Sequence, residues 1–178
     1  MIEVEQALEV VISAERLHTR VCELAAQISR DFRDKNPVIL GTLKGGFLFI
    51  ADLVRQLDFD LEIDFISARS YLDSTTSSGK VDLFKKLSID MENRRLLIVE
   101  DVVDTGLTLR RLVENLQAAG PASVDIVALI VKESAQPLDI EIKYVGFEMD
   151  ERFLVGYGMD LAEKYRNLPY IAWLKDVK

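Results

Sequence analysis

The sequence predicts an α/β fold, with a mostly parallel central sheet flanked by helices. Three observations carry that prediction. Strand-like and helix-like segments alternate along the chain. Two strand candidates, Leu96–Val99 and Val127–Val131, are apolar at every position, as strands covered on both faces are. And 178 residues without an internal repeat or low-complexity linker suit one domain, residues 1–178, large enough to bury a core.

The elements follow in order. Ser13 can cap a helix running to about Phe32, in which Leu17, Val21, Leu24, Ala25, Ile28 and Phe32 recur at helical spacing. Pro37–Thr42 reads as a strand, Gly46–Leu57 as a second amphipathic helix and Leu61–Ile66 as a second strand running into Ser70-Tyr71. Residues 72–80 are small and polar, the composition of a surface loop. Phe84–Met91 is expected to be a strand, with a turn at Asn93-Arg94 before the apolar strand Leu96–Val99. Leu107–Ala119 is a helix stopped by Gly120 and Pro121. Ser123–Val131 and Ile142–Phe147 complete the strand candidates.

Composition narrows the functional classes. Hydrophobic residues make up 49% of the chain and charged ones 29%, a globular balance. A net charge of −8 argues against a dedicated nucleic-acid binder, which needs a basic face. No apolar run is long enough to span a membrane, and the acidic start lacks the basic-then-apolar order of a signal peptide, so a cytoplasmic location is expected. The single cysteine, Cys22, has no internal disulfide partner and is expected to be a packed, reduced thiol. His18 is expected on the helix surface or in packing, away from the chemistry.

The most informative stretch runs from Leu96 to Leu109. An apolar strand ends in Glu100-Asp101, and the polar turn Asp104-Thr105-Gly106 opens a helix. Ligands of open α/β sheets bind beyond the carboxyl ends of the strands. Backbone N–H groups from Thr105 to Thr108, at a helix N-terminus, suit a phosphate. Glu100, Asp101 and Asp104 would repel a bare phosphate. They make sense if the ligand also brings sugar hydroxyls and a divalent cation, and the stretch therefore reads as a sugar-phosphate site. The plain alternative is a strand–turn–helix whose acidic residues are solvated caps.

The order apolar strand, Glu-Asp, two apolar residues, Asp-Thr-Gly-x-Thr resembles the phosphoribosyl-pyrophosphate signature of the type I phosphoribosyltransferases. Four further segments resemble the purine branch of that family, the hypoxanthine-guanine phosphoribosyltransferases: Leu40–Gly46, Ser70-Tyr71, Lys132 after its strand, and Phe153–Pro169. Together they span the chain from the first helix nearly to its end. The resemblance implies the type I phosphoribosyltransferase fold, with a small hood built from N- and C-terminal segments. It also implies Mg²⁺-dependent transfer of a phosphoribosyl group from phosphoribosyl pyrophosphate to a 6-oxopurine, hypoxanthine or guanine.

Roles follow from the resemblance residue by residue. Asp104, Thr105, Gly106, Leu107 and Thr108 would hold the 5′-phosphate, with Asp104 also the general base. Glu100 and Asp101 would take the ribose hydroxyls and, with Asp160, lie by the metal. Leu43, Lys44, Gly45 and Arg166 would bind pyrophosphate, and the Leu43–Lys44 peptide would be cis or switch to it. Lys132 would donate to the purine 6-oxygen, Phe153 would stack on the base and Leu154 would meet its edge. Ser70 and Tyr71 would head a loop that closes over the reaction centre.

Two departures stand out: Leu72 follows Ser-Tyr where many relatives have glycine, and Glu133-Ser134 replaces the Pro-Ser-Arg-Arg that follows the lysine in many bacterial relatives. Glu133 offers Lys132 a surface partner instead of a base. The family implies a homodimer or homotetramer. Rival readings are a xanthine-preferring transferase, a regulator that senses phosphoribosyl pyrophosphate and binds nucleic acid, and a nucleotide-binding scaffold without transfer.

Overall fold

A computed structural model describes residues 8–67, 87–135 and 140–175. Five parallel strands form the central sheet: β2 (Val38–Leu43), β3 (Glu62–Ser67), β4 (Arg95–Val103), β5 (Ser123–Lys132) and β6 (Tyr144–Met149), in the spatial order β3-β2-β4-β5-β6. Interior strands β4 and β5 carry continuous apolar runs, and Leu96–Val99 of β4 and Ile126–Val131 of β5 are buried on both faces. Edge strand β3 alternates instead, with Asp64 and Ile66 buried and Ile63 and Phe65 exposed.

Helices α1 (Ala14–Phe32), α2 (Phe47–Val54) and α3 (Leu107–Gln117) cover the sheet. The Ser13 Oγ accepts from the Arg16 N–H at 3.2 Å and caps α1, and the buried stripe is the one the periodicity predicts. One face of the sheet packs against α1 and α2, and the other against α3 through Leu109, Leu112, Val113 and Leu116. A second sheet, antiparallel and ordered β1-β8-β7, joins β1 (Leu8–Ile12), β7 (Leu154–Val155) and β8 (Ile171–Leu174), so the two ends of the described chain do build a small separate layer. Among the described residues no helix is long and apolar enough to cross a membrane.

The order of strands locates the crevice. From β2 the chain winds outward to β3, then returns to β4 and winds the other way through β5 and β6. The loops after β2 and β4 therefore diverge, and a cleft opens between their carboxyl ends. The Thr42 Oγ1 donates to the Val99 carbonyl at 3.0 Å and pins the two strands just below it.

Several expectations change. Residues 87–91 of the expected strand Phe84–Met91 form no strand, and residues 84–86 lie outside those described. The reason is a buried carboxylate: Asp64 Oδ2 accepts from the Ser88 N–H at 2.7 Å, the Ser88 hydroxyl at 3.1 Å and the Ile89 N–H at 3.3 Å, diverting these groups from a ladder. Helix α2 stops at Val54 and α3 at Gln117, short of the expected Leu57 and Ala119. Cys22 is only half-buried, with Sγ 3.8 Å from Nε2 of the exposed His18. Nothing in the sequence announces how edge strand β6 is protected. The Arg20 guanidinium donates to the Val145 and Gly146 carbonyls at 2.7 and 2.8 Å, answering acceptors a neighbouring strand would otherwise take.

A polar cluster ties α1 to β5 and β6 at the end of the sheet opposite the cleft. The Tyr144 hydroxyl donates to Asp31 at 2.6 Å, and Lys143 lies 3.2 Å from both Asp31 and Asp125. The Tyr144 hydrogen bond, aided by Lys143, holds the Asp31 carboxyl below its ordinary value. A depressed folded-state value means that the unfolded chain binds the extra proton. Its stabilisation is therefore present above about pH 4, the unperturbed carboxylate value, and is lost as the pH falls through the lower folded value. Asp31→Asn is expected to cost about 0.5–1 kcal/mol at pH 7 for so exposed a pair. Thermal melts at pH 7 and pH 3 check the sign, since the deficit should shrink at pH 3.

Candidate active site

The cleft holds two pockets side by side. The smaller, about 230 Å³, is built from the end of β4, the turn after it and the start of α3: Glu100, Val102, Val103, Asp104, Thr105, Gly106, Thr108 and Leu109. Gly106 stands at the N-cap of α3 with φ 73°, and no side chain caps the helix there. A left-handed residue is cheap for glycine and lets the turn curl so that the first amides of α3 open on the pocket. Leu107 projects outward, fully exposed for a leucine at 63%, so only its backbone is available to the pocket.

The larger pocket, about 530 Å³, gathers Leu43 at the end of β2 with Lys44 and Gly45 after it, Asp101 and Val102 from β4, Lys132 from β5, Phe153 and Leu154, and Met159, Asp160, Glu163 and Arg166. The Leu43–Lys44 peptide is cis, as the resemblance implied. Val102 lines both pockets, whereas Glu100 opens on the smaller and Asp101 on the larger, because successive strand residues point to opposite sides. Gly45 has no room for a side chain, since a Cβ there would overlap the Asp101 carboxylate. Removal from water pushes the Glu100 carboxyl well above its ordinary value, and the adjacent Asp101 charge adds to the shift. Burial likewise raises Asp101, with the Arg166 charge working against it.

The wall formed by residues 156–166 is folded tightly. Tyr157, Ala162, Glu163 and Tyr165 all have left-handed backbones, a costly geometry held here by hydrogen bonds from the Tyr157 N–H to the Leu168 carbonyl and from the Gly158 N–H to the Arg166 carbonyl, both 2.9 Å. The Tyr157 hydroxyl donates to Asp52 of α2 at 2.7 Å. Within this wall Arg166 Nη2 lies 2.8 Å from Asp160, and Arg166 Nη1 donates to the Gly158 carbonyl at 2.8 Å. Glu163 bridges two cations, 2.9 Å from Lys44 and 3.0 Å from Arg166. The Lys44 ammonium, then the Arg166 guanidinium, holds its carboxyl below the usual range.

The ionic partner of Lys132 is neither of the two expected. Its side chain is 13% exposed, lines the larger pocket and places Nζ 3.9 Å from Asp104 Oδ1. Phe153 is 39% exposed at the pocket wall, where a ring can meet a flat ligand. Ser70 and Tyr71 lie outside the described residues. Every other residue expected at the site lines one of the two pockets except Leu107, whose backbone alone stands at the helix start. Glu163, Met159, Val102 and Ser67 line the larger pocket without having been singled out. Glu163, Met159 and Val102 stand inside the quoted motif segments, Glu163 three residues before Arg166, whereas Ser67 left no trace in the sequence.

A model of the phosphoribosyl transferase domain matches residues 13–162. The chain belongs to the phosphoribosyltransferase family. It is 46% identical over 167 residues to a hypoxanthine-guanine phosphoribosyltransferase of Bacillus subtilis (strain 168), an alignment covering 94% of this chain and 93% of the relative. A solved hypoxanthine phosphoribosyltransferase from Staphylococcus aureus superposes with a TM-score of 0.87 at 39% identity, over 99% of this chain and 98% of that one. A hypoxanthine-guanine-xanthine phosphoribosyltransferase does so with a TM-score of 0.83 at 37% identity, over 96% and 97%. The superpositions carry the five-stranded parallel architecture of this fold.

Proposed function

We propose that the protein is a purine salvage enzyme, joining hypoxanthine or guanine to phosphoribosyl pyrophosphate to give the 5′-nucleotide and pyrophosphate. The observation that carries this reading is the pair of contiguous pockets. One is lined by helix-start amides, and the other carries three cations, three carboxylates and an aromatic ring. The 5′-phosphate sits on the Asp104–Thr108 turn. Glu100 and Asp101, adjacent carboxylates at the end of β4, can accept from ribose hydroxyls. The cis peptide at Leu43–Lys44, the Gly45 amide, Lys44 and Arg166 face the pyrophosphate.

Among the described residues no cluster of three or more His, Cys, Asp or Glu side chains forms a metal cage. Two aspartates, Asp101 and Asp160, line the larger pocket, and the third carboxylate there, Glu163, is paired with Lys44 and Arg166. That donor set fits a Mg²⁺ that would take one or two protein carboxylates and the substrate's own oxygens for the rest. Glu100 stands at the neighbouring position. When bound, the ion supplies charge neutralisation for the leaving pyrophosphate.

The chain's own groups do the remainder. Phe153 stacks on the purine, the Leu154 backbone meets its edge and the Lys132 ammonium donates to the 6-oxygen. As the C1′–oxygen bond lengthens, positive charge develops on the ribose. The purine N9 lone pair forms the new bond to C1′, pyrophosphate leaves with the electron pair of the broken bond, and the N7 proton passes to Asp104.

Base choice rests on few contacts, and a panel of hypoxanthine, guanine, xanthine and adenine tests it. The expected result is nucleotide from hypoxanthine or guanine and none from adenine, which offers Lys132 no 6-oxygen. Product mainly from xanthine would keep the reaction and move the specificity. Glu163 competes with pyrophosphate for Lys44 and Arg166, so Glu163→Gln is expected to lower the KM for phosphoribosyl pyrophosphate by about threefold at low salt. Steady-state kinetics at two ionic strengths check this, since the gain should fade as salt rises.

A further inference from the structure

We propose that Ser134 is a positioning residue for Asp104, a role that rests on the reading of Asp104 as the general base. Ser134 belongs to a short 3₁₀ turn, Glu133–Ala135, that follows β5 directly after Lys132. Its hydroxyl shares one hydrogen bond between Asp104 Oδ1 and the Asp104 carbonyl, each 3.3 Å away. The turn itself is fastened at both sides. The Ser134 N–H donates to Glu151 Oε1 at 2.6 Å, and Ala135 is buried against the α3 side of the core. Glu151 lies two residues before Phe153, so one short chain of contacts links the aromatic wall of the larger pocket to the carboxylate at the edge of the smaller.

Asp104 needs such a tether. Its side chain is 63% exposed on the turn before α3, so a hydrogen bond has much to add in selecting its rotamer. Ser134 and Lys132 both approach Oδ1. With that oxygen held, Oδ2 takes the N7 proton as N9 bonds to C1′ and pyrophosphate departs with its electron pair. The serine hydroxyl is neutral, so it fixes the carboxylate without competing for the proton.

Ser134→Ala, Ser134→Thr, Asp104→Asn and the double variant Asp104→Asn/Ser134→Ala, each checked for an unchanged melting temperature, decide the matter by steady-state kinetics with hypoxanthine, phosphoribosyl pyrophosphate and Mg²⁺. Ser134→Ala is expected to lower kcat roughly tenfold, the scale of lost orientation, with both KM values held within about twofold. Threonine keeps the hydroxyl and is expected to recover most of the loss. In the Asp104→Asn background the alanine should have no further effect. An unchanged kcat in Ser134→Ala overturns the proposal, as does a threonine variant no better than alanine. A full Ser134→Ala effect that persists in Asp104→Asn overturns it too, while leaving the general-base reading intact. An Asp104→Asn variant with undiminished kcat overturns that reading and this proposal together.

Discussion

Asp104→Asn is expected to lower kcat about 10²–10⁴-fold, the contribution of a positioned general base. The substitution keeps the shape of the side chain and the turn before α3, and the amide oxygen can still accept from Ser134 and Lys132. What it removes is the capacity to take the N7 proton. Binding of phosphoribosyl pyrophosphate should therefore persist, because the amides of the Thr105–Thr108 turn are untouched. Single-turnover nucleotide formation isolates the chemical step, and calorimetric titration reports the binding. An unchanged single-turnover rate would remove Asp104 from the proton transfer.

Gly45→Ala is the second large effect. A Cβ at this position overlaps the Asp101 carboxylate, and neither partner has an easy escape. The Gly45 carbonyl lies against Gly158 of the opposite wall. Asp101 is fixed at the end of β4. The loop must shift outward or Asp101 must rotate out of place. Either movement separates the groups that face the pyrophosphate, and a displacement of about 1 Å can cost 10²-fold in rate. We expect kcat/KM for phosphoribosyl pyrophosphate to fall about 10²-fold, with a stability loss of about 1–3 kcal/mol from overpacking. Denaturant melts separate the two contributions, and a kcat/KM near wild type would show that the loop tolerates a side chain.

Legibility in the sequence followed the range of the forces. Interior strands β4 and β5 could be read because burial on both faces demands apolar residues at every position. Helix α1 could be read because Ser13 and a 3.6-residue stripe are local signals. The β1-β8-β7 sheet could not be read from local pattern, since β7 has two residues and its partners lie far away in the chain. Leu87, Ile89 and Met91 alternate like a strand, yet the Asp64 carboxylate captured the N–H groups between them. The site divides in the same way. Contiguous stretches such as Glu100–Thr108 carry their geometry with them, whereas the Lys44–Glu163 bridge joins residues 119 apart. Lys132 was undecided for the same reason, because its two possible partners differed only in the direction of one side chain. Ser134 was passed over because a lone serine after a strand has no local signature.

The most direct test of the account is to incubate the purified protein with phosphoribosyl pyrophosphate, Mg²⁺ and hypoxanthine, following inosine 5′-monophosphate and pyrophosphate together. The account predicts equimolar appearance of the two products, abolished by a chelator. Tight binding of phosphoribosyl pyrophosphate without product from hypoxanthine or any other purine would contradict it and favour a sensor built on the same fold.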